Sequence, residues 1–284
     1  MDHAYQGELC MSTANDYNAT VVERLDITPN LMIIRVKPDV TPFPFLAGQF
    51  AILGLQRNAP RIPEADPEEV PEDKALRLVR RAYSISSGSH ETHLEFYISL
   101  VQSGELTPRL FALAVGERLF LGKSASGHFT LDRVPPGHNI LMVSTGTGLA
   151  PYISMVRTMA LGIGCPITPM AVVHGASYSW DLGYRTELEG LNRQCDHFRY
   201  VPVVSRPQDD KDWSGRTGRL NVWVENKKAL EEACGFPVDP AHTHIFLCGN
   251  PGMIEFTEKY FVEQCGYDAG SKKEPGNLHA EKYW

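Results

Sequence analysis

The hydrophobic pattern changes period once, at Pro135-Pro136-Gly137, and that change constrains the fold more than any other feature. Before it, short alternating runs are punctuated by Gly and Pro: Ala19 to Leu25, Leu31 to Val36, Gly48 to Leu53, Arg80 to Ser87, His93 to Val101, Glu117 to Gly122 and His128 to Leu131. A period of two predicts strands with one buried face, and many short strands with turn punctuation predict an antiparallel barrel. Asp26 to Asn30 reads as a turn and Thr107 to Ala114 as a short helix. After the change, apolar runs (Asn139 to Val143, Thr168 to His174, Phe198 to Val204, His244 to Leu247) alternate with helical segments (Ala150 to Leu161, Leu182 to Leu191, Met253 to Gln264). That alternation predicts a parallel sheet covered by helices. The expected organisation is a leader over 1–17, a β-barrel domain over 18–135 and an α/β domain over 136–284. Asn58 to Lys74, rich in Pro, Glu and Asp, reads as an exposed insertion without chemistry.

A chain of 284 residues with 43% hydrophobic content can bury two cores. A formal net charge of −7 argues against general nucleic-acid binding. Met1 to Ser12 carries acids and no apolar core, so it does not read as a signal peptide, and no run approaches the roughly 18 apolar residues of a membrane span. The six cysteines form no CxxC pair. No zinc site or iron–sulfur cluster is expected, and the scattered thiols are expected to be reduced, as in a cytoplasmic protein.

Five stretches carry chemistry. In Arg80-Arg81-Ala82-Tyr83-Ser84-Ile85-Ser86-Ser87, Ala82, Ser84 and Ser86 fall on one face of a strand, with Tyr83 and Ile85 on the other. Arg81, Tyr83 and Ser84 together suit a ligand with a phosphate, a flat ring and a ring nitrogen. Taken alone, the stretch is a half-buried strand with a surface arginine pair. Ser144-Thr145-Gly146-Thr147-Gly148-Leu149-Ala150-Pro151 is a strand–Gly loop–helix junction that points backbone N–H groups at an anion, though it is GxGxxP rather than GxGxxG. A plain tight turn reads equally well there. Cys248-Gly249-Asn250-Pro251-Gly252-Met253 follows an apolar strand, at the strand end where open α/β sheets bind ligands. By itself Cys248 reads as buried filler. Gly104-Glu105-Leu106-Thr107-Pro108 carries an N-cap signature at Thr107, before a helix whose N-terminus can also receive a phosphate. The tail, Gly276 to Trp284, ends on two aromatics that are expected to cover something flat.

In this order, Arg81-x-Tyr83-Ser84, Gly104-x-Leu106-Thr107, the Thr145 to Pro151 loop, Cys248-Gly249-Asn250-Pro251 and the Glu281-Lys282-Tyr283-Trp284 ending resemble the ferredoxin–NADP(H) reductase family, in its bacterial ferredoxin/flavodoxin branch. The resemblance runs from about residue 18 to the end. It implies an FAD-binding Greek-key barrel followed by an NADP-binding α/β domain. It also implies an enzyme that exchanges hydride with NADP(H) and single electrons with ferredoxin or flavodoxin. By the same resemblance Arg81 holds the FAD pyrophosphate, Ala82 and Tyr83 lie along the flavin, and Ser84 approaches its N5. Gly104, Leu106 and Thr107 flank the FAD phosphates, and Thr145, Gly146, Thr147 and Gly148 take the NADP pyrophosphate. Cys248 and Glu281 join Ser84 as catalytic candidates, Tyr283 stacks on the flavin, and Trp284 reaches toward the adenine. One position departs from the family: Ser177 stands where an arginine commonly binds the 2′-phosphate, which leaves that role to Arg206 and Arg219. The rival expectation is an NAD(P)H-dependent reductase serving an oxygenase or free flavin.

Overall fold

The computed structural model describes residues 17–161, 164–271, 274 and 276–282. Residues 1–16 of the expected leader, Cys10 among them, and the tail aromatics Tyr283 and Trp284 lie outside the described residues. Tyr17 packs against the first core, and its hydroxyl accepts the backbone N–H of Gln56 at 2.9 Å.

The first half contains β1 (Ala19–Thr28), β2 (Leu31–Pro38), β3 (Phe50–Gln56), β4 (Leu78–Ser84), β5 (Leu94–Ser99), helix α1 (Thr107–Ala112) and β6 (Arg118–Leu121). The strands form one antiparallel sheet in the order β4-β3-β6-β1-β2-β5. A single bridge, Ile85 to Phe96, joins its two edges just beyond β4, so the sheet closes at one end only. Between Arg81 and Ser84 the outer edge of β4 carries no strand partner.

The second half contains β7 (Asn139–Thr145), α2 (Ala150–Met159), β8 (Met170–Ala176), α3 (Arg185–Gln194), β9 (Phe198–Val204), β10 (Arg216–Thr217), α4 (Leu220–Glu225), α5 (Lys227–Cys234), β11 (Thr243–Gly249), α6 (Pro251–Cys265) and β12 (Leu278–Lys282). The parallel sheet runs β10-β9-β8-β7-β11-β12. One face of this sheet (Leu141, Val143, Val173, Leu247) packs with α4, α5 and α6. The other face (Ile140, Met142, Val172, Phe246) packs with α2, and also with Ile33, Tyr97 and Phe129 of the barrel side. This shared core joins the two halves. Gly48, at φ +98°, permits part of that join, because a Cβ there would lie 2.0 Å from the carbonyl oxygen of Phe129.

Several expectations change. His128 to Leu131 is not a strand. Phe129 turns into the shared core, edge-on to Phe246 at 5.3 Å, and a short 3-10 turn follows at Leu131–Arg133. The Asp26 to Asn30 turn is shorter than expected, since β1 continues to Thr28. Thr107 does not cap α1: its Oγ1 donates to the Val101 carbonyl and accepts from the Val101 N–H, both at 3.0 Å. The tail forms β12, paired parallel to β11 from Leu278 to Lys282. A disulfide links Cys165 to Cys195, because the loops after α2 and α3 bring their Cα atoms to 5.4 Å. The expectation of fully reduced thiols therefore fails for this pair.

The insertion over 58–74 is tied down rather than merely solvated. Arg109 of α1 is 1% exposed and donates to Glu68 Oε2 at 2.8 Å and to the carbonyls of Arg57 and Glu105. Arg61 also pairs with Glu68, at 2.9 Å. Removing Arg109 leaves the carbonyls of Arg57 and Glu105 without their donor, while Glu68 keeps Arg61. Arg109→Met should therefore lower unfolding free energy by about 1–3 kcal/mol. Urea denaturation followed by circular dichroism checks this, and an unchanged midpoint contradicts it.

Candidate active site

Two cavities meet at the C-terminal end of the parallel sheet. The first, about 510 Å³, follows the open edge of β4. Arg81, Ala82, Tyr83 and Ser84 all line it, together with Gly104, Leu106, Thr107, Thr147 and Glu281. Strict strand alternation would send neighbouring side chains of β4 to opposite faces. All four reach one cavity because it runs along the strand's edge rather than over a face.

The cavity is polar at its ends and apolar between. At one end Arg81, more than half exposed, donates to Glu105 Oε2 at 2.7 Å. Arg57 holds the other oxygen of Glu105 at 2.5 Å, and its hydrogen bond, ahead of that of Arg81, keeps this carboxyl below the usual range. At the other end the Ser84 hydroxyl donates to Glu281 Oε1 at 3.2 Å. Burial pushes the Glu281 carboxyl up to about 7, against the opposing pull of that hydrogen bond. Burial also raises the Tyr83 phenol, so it stays neutral. Register explains how Glu281 arrives: the β11–β12 ladder sets it opposite Cys248.

The second cavity, about 810 Å³, lies over the ends of β7, β8 and β9. Thr145, Gly146, Ser177, Arg206, Arg219 and Asn250 line it. The Asn250 N–H donates to Thr145 Oγ1 at 2.9 Å, and Asn250 Oδ1 caps α6 by accepting from the Gly252 and Met253 N–H groups. The glycines of the 145–148 loop divide their work. Gly146, at φ +54°, has nothing within 4 Å of a hypothetical Cβ and faces open space. Gly148 is buried, and a Cβ there would meet the Cys248 carbonyl oxygen at 2.4 Å. Its lack of a side chain serves the approach of β11, not of a ligand. Cys248, expected among the catalytic residues, is 0% exposed, belongs to the shared core and lines neither cavity.

Sequence reasoning passed over several residues here. Glu105 lay inside a noted motif but received no role. Tyr97 lines the first cavity from β5. Tyr178 stacks on Trp180 at 4.6 Å, and the Arg206 guanidinium lies 5.8 Å from the Tyr178 ring. The Tyr-x-Trp spacing was the available signal. Among the described residues no group of three or more His, Cys, Asp or Glu could hold a metal, and no helix is long and apolar enough to cross a membrane.

A barrel whose open edge faces the ligand end of a parallel α/β sheet defines a two-domain oxidoreductase. Accordingly, residues 142–259 match the family model described as oxidoreductase NAD-binding domain. The chain is 33% identical to the flavodoxin/ferredoxin–NADP reductase of Escherichia coli (strain K12), over 85% of this chain and 88% of that one. It is 29% identical to the enzyme of that name from Buchnera aphidicola subsp. Baizongia pistaciae, over 90% and 93%. Among solved structures, a ferredoxin NADP+ reductase from Neisseria gonorrhoeae with bound FAD and NADP superposes with a TM-score of 0.77 at 25% identity, covering 95% of this chain and 99% of that one. The chain belongs to the flavodoxin/ferredoxin–NADP reductase family.

Glu281 supplies a pH test of the site. Its folded pKa is raised, so between about 4.5 and about 7 the folded chain holds a proton that the unfolded chain has lost. Its contribution to stability should therefore fall as pH rises through that window and level off above it. Urea midpoints across the window should show this slope in the parent and a smaller one in Glu281→Gln. Parallel profiles contradict the assignment.

Proposed function

We propose that the chain is an FAD-dependent ferredoxin/flavodoxin–NADP(H) reductase, with FAD in the first cavity and NADP(H) in the second. One observation carries this reading: consecutive stretches of a single loop, Thr145–Gly146 and Thr147, line the two cavities, so ligands filling them meet at that loop. The residues present fit FAD. A cationic end at Arg81, an apolar middle at Ala82, Tyr83 and Leu106, and a hydroxyl–carboxyl pair at Ser84 and Glu281 match a pyrophosphate, a flat ring system and a ring that exchanges a proton. Bound flavin supplies the conversion between two-electron exchange with a nicotinamide and one-electron exchange with ferredoxin or flavodoxin.

The chain's own part is binding, orientation and proton handling. Arg81, paired with Glu105, would hold the pyrophosphate, and Ser84 donates to Glu281 at the ring end. A carboxyl titrating near 7 both gives and takes a proton at working pH, so Glu281 would hold a proton for the flavin beside Ser84. Arg206 and Arg219, which line the second cavity with Ser177, would hold the 2′-phosphate.

Two measurements test the assignment. Arg81→Ala removes a charge-assisted contact and should raise the FAD dissociation constant about ten- to a hundredfold, equivalent to about 1.5–3 kcal/mol. Equal constants contradict the placement of the pyrophosphate. Arg206→Ala and Arg219→Ala should each lower the NADPH/NADH ratio of kcat/KM by about ten- to a hundredfold with little change for NADH, while Ser177→Arg raises it. A parent that prefers NADH, or ratios unmoved by both deletions, places the 2′-phosphate elsewhere.

A further inference from the structure

Behind the flavin end of the first cavity lies a buried charged cluster that the proposed chemistry does not use. Its hub is Glu95 of β5, 1% exposed. From the barrel side, Arg35 Nε donates to Glu95 at 2.7 Å and the Ser86 hydroxyl at 3.3 Å. From the α/β side, Arg157 of α2 donates at 2.8 Å and the Tyr184 hydroxyl at 2.8 Å. Arg157 also grips Glu187 of α3 through both carboxylate oxygens, at 2.7 and 2.8 Å. Burial by itself would raise the Glu95 carboxyl, but Arg157, Arg35 and Tyr184 together hold it low, so it stays ionised.

The cluster joins elements 62 and 89 residues apart in sequence, and it joins them close to the chemistry. Ser86 is two residues past Ser84. Tyr97, which lines the first cavity, meets the Tyr184 ring edge-on at 5.2 Å. The Tyr97 hydroxyl donates to the carbonyl of Asp181, which lines the second cavity, and accepts from the Gly183 N–H at 3.1 Å. Two features show how tightly this approach is specified. A Cβ on Gly183 would lie 2.3 Å from the Tyr97 hydroxyl. Tyr184 is the one non-glycine residue of positive φ, +59°, among the described residues. A bulky residue in the left-handed region costs energy, and here it is held by the hydroxyl's bond to Glu95.

We propose that Glu95, Arg157 and Tyr184 are positioning residues, an inter-domain tie that sets the spacing between the flavin ring and the nicotinamide. This rests on the cofactor placement given above. Two ligands held on separate domains react only when the domains fix their distance, and hydride exchange is steep in that distance. The tie is suited to the task because a buried carboxylate with four donors has discrete partners rather than a soft contact.

The test uses the FAD-loaded full chain. Parent, Tyr184→Phe, Gly183→Ala, Arg157→Met and the Tyr184→Phe/Arg157→Met double are mixed anaerobically with NADPH, and flavin bleaching is followed by stopped flow. FAD and NADP+ dissociation constants and melting temperatures are measured alongside. The limiting reduction rate should fall roughly ten- to a hundredfold in each single variant, with both dissociation constants within about twofold of the parent. The double should be slowed by less than the product of its singles, because both act on one tie. Arg157→Lys, which keeps the charge beside Glu95, should recover part of the rate. Variants that melt earlier but reduce at the parent rate overturn the proposal, as does a loss confined to FAD affinity. If Arg157→Met does not fold, Tyr184→Phe, which removes one hydroxyl, decides the matter with Gly183→Ala. A parent that NADPH does not bleach defeats the cofactor placement itself and this inference with it, whereas a bleached parent with equally fast variants defeats only the tie.

Discussion

The parallel pairing of β12 on β11 is the contact on which the site depends. It places Glu281 opposite Cys248 and delivers its carboxyl to Ser84, 197 residues away on the barrel. Without it, Ser84 would lose the carboxyl it donates to. With it, the edge becomes one wall of a cavity whose other wall belongs to the α/β domain. The same pairing buries Glu281 enough to lift its pKa to about 7, so the strand that shapes the cavity also tunes its acid.

Charge is handled differently at the two ends of the barrel. Near Arg81, the guanidiniums of Arg57, Arg61, Arg81 and Arg109 share two carboxylates, Glu68 and Glu105. That end keeps a cationic surplus suited to a pyrophosphate. Near Glu95, Arg35 and Arg157 are met by Glu95, Glu23 and Glu187, and no surplus remains for a ligand. One cluster is built to receive an anion and the other to hold two domains together, although both draw on the same two residue types.

Much of this was legible in the sequence. The run Phe198–Val204 was read with its final bounds, because a mostly buried strand is a mostly apolar run between polar turns, here interrupted only by Arg199. Arg81 to Ser84, Gly104, Leu106, Thr107 and Glu281 were each singled out, and one cavity gathers them; Thr147, expected with the NADP pyrophosphate, lines that same cavity and not the second. What escaped was set by long-range packing. Phe129 looks like a strand residue, but its ring fills the join between domains. The 58–74 insertion has loop composition, but Glu68 is captured by an arginine that local pattern cannot locate. Cys165 and Cys195 are brought together only by the two helices that precede them. Gly148 was read as part of the pyrophosphate loop, but the group that approaches it is the Cys248 backbone. Leu278–Lys282 was assigned no element from the sequence; it forms a strand because the edge of β11 offers it a ladder.

The central claim is that the cavity along β4 is the flavin site. Ala82 is exposed and lines that cavity between its polar ends, so Ala82→Trp fills it without removing any hydrogen bond named above. The direct measurement is the FAD content of this variant, read from visible absorbance on protein whose circular dichroism matches the parent. The account predicts a folded protein that has lost its flavin; a folded variant that still carries one FAD per chain would contradict it.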